Sequence, residues 1–352
     1  MPASPIEEVI AQCTRFLRGH YPRSVRDQLR EIAESPLALS PRDHYGRGGA
    51  IAEFESEAAE LLGKEAAVFM PSGTMAQQIA LRIWADQAGN PRAAFHPTCH
   101  LEIHEQGAYR ELHHLESVLL GEADRLFTLA DLEAAPDCSS LLIELPQREI
   151  GGQLPSWEEL MAICDLAHAR GMKLHMDGAR LWECRPFYGR SYAEIATPFD
   201  SVYVSFYKIL NGLPGALLAG PSEMIREARI WQRRHGGNLA QMAPAVMSAK
   251  QGMERHLPRM ADYVAKAKEV ATVLRGLGVR VVPEEPPTNM MHVYFPGDVA
   301  RLVAAAERIG WEDRVFLFSG LGDEGKLELV VGEAALDLSR EELERLFGKL
   351  LG

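Results

Sequence analysis

Three short stretches of the chain bring together side chains that could do chemistry. The first is His175-Met176-Asp177-Gly178-Ala179-Arg180-Leu181, where an acid follows directly on an apolar run. Ligands of open α/β sheets collect past the carboxyl ends of the strands, so an acid there is placed to meet one. Alone, such an Asp is more often a helix cap or a turn residue. The second is Ser205-Phe206-Tyr207-Lys208, followed by Leu210-Asn211-Gly212-Leu213-Pro214-Gly215. Apolar surroundings desolvate an amine and lower its pKa. An amine that is deprotonated near neutral pH can form a Schiff base, whereas a single lysine after a strand is otherwise an ordinary loop residue. The third is Pro71-Ser72-Gly73-Thr74, where small and hydroxyl residues open a helix. Free backbone N–H groups at a helix start suit a phosphate, although the same residues also make a plain N-cap.

The combination says more than its parts. A phosphate cradle, an acid and a lysine, each at the C-terminal end of a parallel strand, match the needs of pyridoxal phosphate. The acid keeps the pyridine nitrogen protonated so that the ring accepts electrons, and the lysine tethers the aldehyde.

The elements must therefore set several strand ends side by side. An amphipathic helix is expected over 51–62, closed by Gly63. An apolar strand over 66–70 turns into a helix over 75–85. Further apolar strands are expected at 140–145, 173–176 and 201–205, with a helix over 157–170 between the first two. This alternation predicts an α/β fold with a largely parallel sheet covered by helices. Upstream, 6–35 reads as one or two short helices interrupted at Tyr21-Pro22, and 36–49 reads as loop. From about residue 239 a long helical stretch runs toward 277. Strands over 279–283, 291–295 and 326–331 then lie among helices, and the last helix, over 339–351, opens with Ser339 and Glu342 in capping-box spacing. The expected domains are an N-terminal helical arm (1–45), a large cofactor-binding α/β domain (46–250) and a small C-terminal α+β domain (251–352).

Composition narrows the partners. With 352 residues, 47% of them hydrophobic, the chain can bury more than one core. A formal net charge of -12 argues against nucleic acid, which needs clustered Lys and Arg. The five cysteines, Cys13, Cys99, Cys138, Cys164 and Cys184, form no CxxC pair. That spacing suggests neither a metal site nor a disulfide framework, and reduced thiols are expected. Met1-Pro2-Ala3-Ser4 leads into a polar stretch rather than a signal core, and no run of about 18 apolar residues occurs. A cytoplasmic protein without a membrane partner is expected.

Specific strings then point to a family. Asp43-His44-Tyr45-Gly46, Phe54-Glu55, Phe69-Met70-Pro71-Ser72-Gly73-Thr74-Met75, Cys99-His100 with Glu105-Gln106-Gly107, His175 through Arg180, and Ser205 with Lys208 occur in that order. In these strings the chain resembles the threonine aldolase and β-eliminating lyase family of fold-type I pyridoxal-phosphate enzymes. The likeness spans roughly residues 40 to 215. It implies that Lys208 is the Schiff-base lysine and that Asp177 is the partner of the pyridine nitrogen. It also implies that Gly73, Thr74 and Ser205, beside Ser72, hold the phosphate, and that His100 stacks on the ring. Arg180 would lie near the phenolic oxygen and the substrate carboxylate, where a guanidinium fork suits both. The same likeness implies a homodimer or homotetramer with shared sites, into which Tyr45, Arg47 and Arg233 are candidates to reach.

Departures from the family's pattern fall where substrate binds. Leu145-Pro146-Gln147-Arg148 replaces an Asn-Thr-His-Asn-like run, so Gln147 stands where a histidine is expected, and an amide is no base near neutral pH. Arg18-Gly19-His20 replaces Arg-Ser-Asp. Glu328 falls where a carboxylate-binding arginine is expected, and Ala240 falls at another arginine position, with Arg233 and Arg234 nearby. A Glu at such a place repels an α-carboxylate unless it points elsewhere or pairs with a cation. Substrate contacts are thus expected from Arg180, Gln147, Arg18 and Tyr45, with His20, His104 or Arg148 assisting. The expected reaction is retro-aldol cleavage of a β-hydroxy-α-amino acid other than plain threonine. In it Lys208, Asp177 and His100 are catalytic, and His100 or a held water takes the hydroxyl proton. β-Elimination, decarboxylation, racemisation and weakly catalytic cofactor binding remain open at this point.

Overall fold

Residues 5–352 are described by a computed structural model. The leader reading of Met1–Ser4 lies outside the described residues. The chain divides into two compact units. The larger comprises Val25–Glu149 and Leu154–Pro258, and the smaller comprises the residues up to Ser24, Ile150–Gln153 and Arg259–Gly352.

The larger unit is built on a seven-stranded sheet. In spatial order its strands are Ala66–Met70, Ala216–Gly220, Ser201–Ser205, Lys173–Gly178, Ser140–Glu144, Arg92–Phe95 and Glu116–Leu119. Ala216–Gly220 runs antiparallel to both of its neighbours, and the remaining pairs are parallel. Ser140–Glu144 and Ser201–Ser205 are buried at every position, as strands covered on both faces must be. Helices Gly73–Ala88 and Trp157–Ala169 fill the crossovers, the second opened by a Ser156/Glu159 capping box.

Two differences from the expected elements have local causes. The helical stretch toward 277 is broken at Leu257-Pro258 into Ala243–His256 and Met260–Gly276, because a proline ring cannot continue the hydrogen-bond ladder. Strands Arg92–Phe95 and Glu116–Leu119 carry only four residues each, too few for a clear alternation signal.

The smaller unit carries a three-stranded antiparallel sheet with Met290–Tyr294 between Lys326–Val330 and Arg280–Val282. Helices Met260–Gly276, Val299–Asp313 and Arg340–Leu351 share its apolar core around Val293, Phe295, Ile309, Phe318 and Phe347. The Ser339/Glu342 capping box is present. All five cysteines are buried and free. Among the described residues no helix is long and apolar enough to cross a membrane.

Candidate active site

Parallel strand ends place the acid and its neighbours. Asp177 is the fifth residue of Lys173–Gly178 and is buried, and its Oδ1 accepts from the Ala179 amide at 3.0 Å. A turn directly after the acid thus fixes its carboxylate. Gly178 tolerates no side chain, because a Cβ there would meet the Tyr203 carbonyl oxygen at 2.5 Å. Ser205, buried at the end of the neighbouring strand, donates its hydroxyl to the Ala179 carbonyl at 3.0 Å and ties the two strand ends together.

Lys208 follows three residues on, in a tight loop closed by bonds from the Asn211 amide to the Lys208 carbonyl at 2.9 Å and from the Gly212 amide to the Phe206 carbonyl at 2.9 Å. Burial lowers the pKa of its amine, the charge of Arg180 lowers it further, and Asp177 and Glu144 oppose both. This is the direction of shift that its apolar surroundings in the sequence suggested.

One cleft receives these groups. Thr74, His100, Asp177, Ala179 and Lys208 line it, together with Gln77, Glu105, Glu144, Tyr203 and Tyr207. Ser72 caps helix Gly73–Ala88 by accepting from the Met75 amide at 3.3 Å. Gly73 is the first residue of that helix, pressed so closely to Tyr203 that a Cβ would meet the phenol oxygen at 2.0 Å. His100 is held through Nδ1, 3.0 Å from Glu105 Oε1, and Gln78 Nε2 donates to the other oxygen of Glu105 at 3.1 Å. A carboxylate on Nδ1 fixes both the tautomer and the plane of the ring.

Other expected substrate contacts lie around this centre or elsewhere. Arg180, half-buried, precedes the short helix Leu181–Glu183 and acts on Lys208 and Glu144 through its charge. Gln147 is buried, with its amide nitrogen 3.4 Å from the Thr98 carbonyl and 3.3 Å from Glu144 Oε2. Tyr45 is exposed, in a left-handed conformation at φ 51°, with its ring against His44. Arg148, His104 and Glu149 form a small ionic cluster, with His104 Nε2 2.8 Å from Glu149. Arg18 belongs to the smaller unit. Burial pulls its pKa down and the Glu328 charge pushes back. Glu328 also lies 4.0 Å from His292 Nε2, so its charge has a guanidinium and an imidazole as neighbours within its own unit.

Glu144, Gln77, Tyr203 and Tyr207 were not singled out by sequence. Glu144 ends an apolar strand, a place where a charge looks like a simple boundary. Tyr203 sits among apolar strand residues, and a buried phenol that must find a partner was the available signal.

The donor set fits pyridoxal phosphate. An acid and a pKa-lowered lysine share one cleft with the open end of a 16-residue helix. The Gln77 amide oxygen, buried at 1% exposure, has no hydrogen-bond partner there.

Comparison with known proteins agrees. The model of the Beta-eliminating lyase family matches residues 38–296. A structure from Exiguobacterium sp. 255-15, assigned as an aromatic amino acid beta-eliminating lyase/threonine aldolase, is 43% identical and superposes with a TM-score of 0.94 over 99% of both chains. One from Listeria monocytogenes EGD-E, assigned as an L-allo-threonine aldolase, is 44% identical with a TM-score of 0.94 over 99% of this chain and 98% of that one. Low-specificity L-threonine aldolase 1 of Arabidopsis thaliana is 28% identical over 289 residues, covering 79% of this chain and 80% of that protein. The fold is that of the fold-type I pyridoxal-phosphate enzymes. The chain belongs to the beta-eliminating lyase family and is a lyase of the threonine aldolase type.

Proposed function

We propose that the protein binds pyridoxal phosphate on Lys208 and cleaves a β-hydroxy-α-amino acid into a smaller amino acid and an aldehyde. The observation that carries this reading is the meeting of Lys208, Asp177, His100 and Thr74 in one cleft. When bound, the cofactor supplies an aldehyde for amines and a ring that takes up electrons.

The chain's own residues do the rest. Asp177 holds a proton at the pyridine nitrogen, and its bond from the Ala179 amide keeps it aimed. Gly73 and Thr74 offer helix-terminal amides to the phosphate, with Ser72 as the cap that frees them. His100, fixed by Glu105, would hold the cofactor ring by packing against it and is the group nearest in kind to a base for the substrate hydroxyl. Arg180 and Gln147 orient the substrate, and Gln147 does so by hydrogen bonding alone. The preferred substrate differs from plain threonine, a reading supported by the amide at residue 147. Active sites are shared between copies in a homodimer or homotetramer, with Tyr45, Arg47 and Arg233 reaching toward the neighbouring copy; all three are exposed.

Visible absorption of the purified protein tests this. A violet band that Lys208→Ala abolishes supports the cofactor reading, and its absence after added pyridoxal phosphate overturns it. Release of a smaller amino acid from a panel of β-hydroxy amino acids, threonine and allo-threonine included, then identifies the substrate. Turnover of threonine as fast as any other panel member overturns the stated preference.

A further inference from the structure

We propose that Tyr203 and Tyr207, together with Gln77, complete the phosphate cradle by donating hydrogen bonds to a phosphomonoester at the start of helix Gly73–Ala88. The inference rests on the cofactor reading above and adds residues that neither the motifs nor the family likeness assigns.

Four observations carry it. Tyr203 stands opposite Asp177 in the strand register and is 2% exposed, so its phenol is delivered to the acid's side of the sheet. The phenol oxygen lies against Gly73, whose missing side chain leaves room for it. Its hydroxyl is hydrogen-bonded to the Tyr207 side chain, which is 40% exposed and forms the rim of the same cleft. Finally, Gln77 lines the same cleft and follows Thr74 by three residues, on the same helix face, and its amide nitrogen carries two N–H donors.

A hydroxyl from this strand has to come from somewhere. Ser205 has committed its proton to the Ala179 carbonyl, so the strand's serine is not a free donor. The two phenols share one hydrogen bond, which leaves one proton of the pair to turn outward, and the Gln77 carboxamide carries N–H donors of its own. Burial raises the Tyr203 pKa well above that of an ordinary phenol, which keeps it a donor throughout the working range. A dianion at a helix N-terminus is the ligand such a set of donors favours.

The opposing account is that Tyr203 is a core phenol satisfied by Tyr207 and nothing more. Titration of the cofactor-free chain with pyridoxal phosphate and, separately, with pyridoxal separates the two. Both ligands carry the same ring and aldehyde, and only one carries the phosphate. The wild type is expected to prefer pyridoxal phosphate strongly. Tyr203→Phe should cut that preference by about tenfold or more, the scale of one hydrogen bond to a charged group, and leave pyridoxal binding unchanged. Tyr207→Phe, on the exposed rim, should cut it by a smaller factor without risk to folding. An undiminished preference in both variants overturns this inference alone. A wild type that takes up neither ligand overturns the cofactor reading and this inference with it.

Discussion

Glu144 and Asp177 stand opposite one another in the register of two adjacent parallel strands, and both carboxyls face the cleft that holds Lys208. Burial, and next the Asp177 charge, push the Glu144 carboxyl up to about 7. Backbone amides restrain it, with the Arg148 N–H donating to Oε1 at 3.2 Å. A carboxyl near neutrality beside a second acid lets the pair give up one charge without losing its geometry.

A pH dependence of stability follows from that shift. In the unfolded chain Glu144 titrates at about 4.3. Its folded value is higher, so the stability it contributes is present below the unfolded value and is lost as pH rises toward 7. The urea midpoint of the cofactor-free protein should therefore fall between about pH 4.3 and 7 in excess of other groups. Glu144→Gln should flatten that segment and cost about 1 to 2 kcal/mol at its acid end, because its amide nitrogen cannot accept from both the His100 N–H and the Gln147 amide. Parallel curves for the two proteins would refute the coupling.

Legibility of this site in the sequence was uneven for physical reasons. Asp177, Lys208 and Gly73 are found because each follows an apolar strand at a turn, and strand ends are readable from local pattern. Strand Ser201–Ser205 and helix Trp157–Ala169 are likewise read almost to the residue from continuous apolar runs and helical spacing. Glu144 is different. Its importance comes from register with a residue 33 positions away, a relation that no local window contains. Tyr203 and Gln77 fail to stand out for the same reason: their polar atoms matter only through groups brought near by the fold.

Helix start and acid partner also meet at a distance in Glu55. This buried carboxylate accepts from the Phe69 amide at 2.8 Å and from both terminal nitrogens of Arg229, at 2.6 and 3.3 Å. It anchors strand Ala66–Met70, which runs straight into Pro71, Ser72 and the start of helix Gly73–Ala88. Arg229→Ala should destabilise the protein by about 3 kcal/mol, because it strands a buried charge. Since burial already raises the Glu55 pKa, the loss should be larger at pH 8 than at pH 5. Adding Glu55→Gln should recover part of it, so that the double variant loses less than the sum. Additive losses in urea titrations would show that the two groups act independently.

Close packing makes a second strong prediction at Gly73. A methyl group there would overlap the Tyr203 ring, with the phenol oxygen at 2.0 Å and its ring carbon at 2.2 Å. Gly73→Ala should cost about 1 to 3 kcal/mol through overpacking and weaken cofactor uptake. Tyr203→Phe would not relieve the overlap, since the ring remains. Tyr203→Leu would relieve it and should restore most of the thermal stability. Restoration by Phe alone, or by neither, would mean that the clash is taken up elsewhere.

Asp43 closes a contact across nearly 200 positions of chain. Both of its carboxylate oxygens accept from the Met242 amide, at 3.1 and 3.0 Å, and one also accepts from the Ala243 amide at 3.0 Å. It thereby caps helix Ala243–His256, whose own cap residue offers no side-chain bond. The same residue pins the segment carrying Tyr45, whose amide donates to the Ala240 carbonyl at 3.2 Å. Asp43→Ala leaves helix-terminal amides buried without an acceptor and should cost about 1 to 3 kcal/mol. Asp43→Asn keeps one good acceptor and should cost less than half as much. Because the loss falls on this segment first, proteolytic cleavage within residues 43–49 should speed up in Asp43→Ala more than cleavage elsewhere. Equal acceleration at all sites would mean that the cap stabilises the whole unit rather than the segment that holds Tyr45.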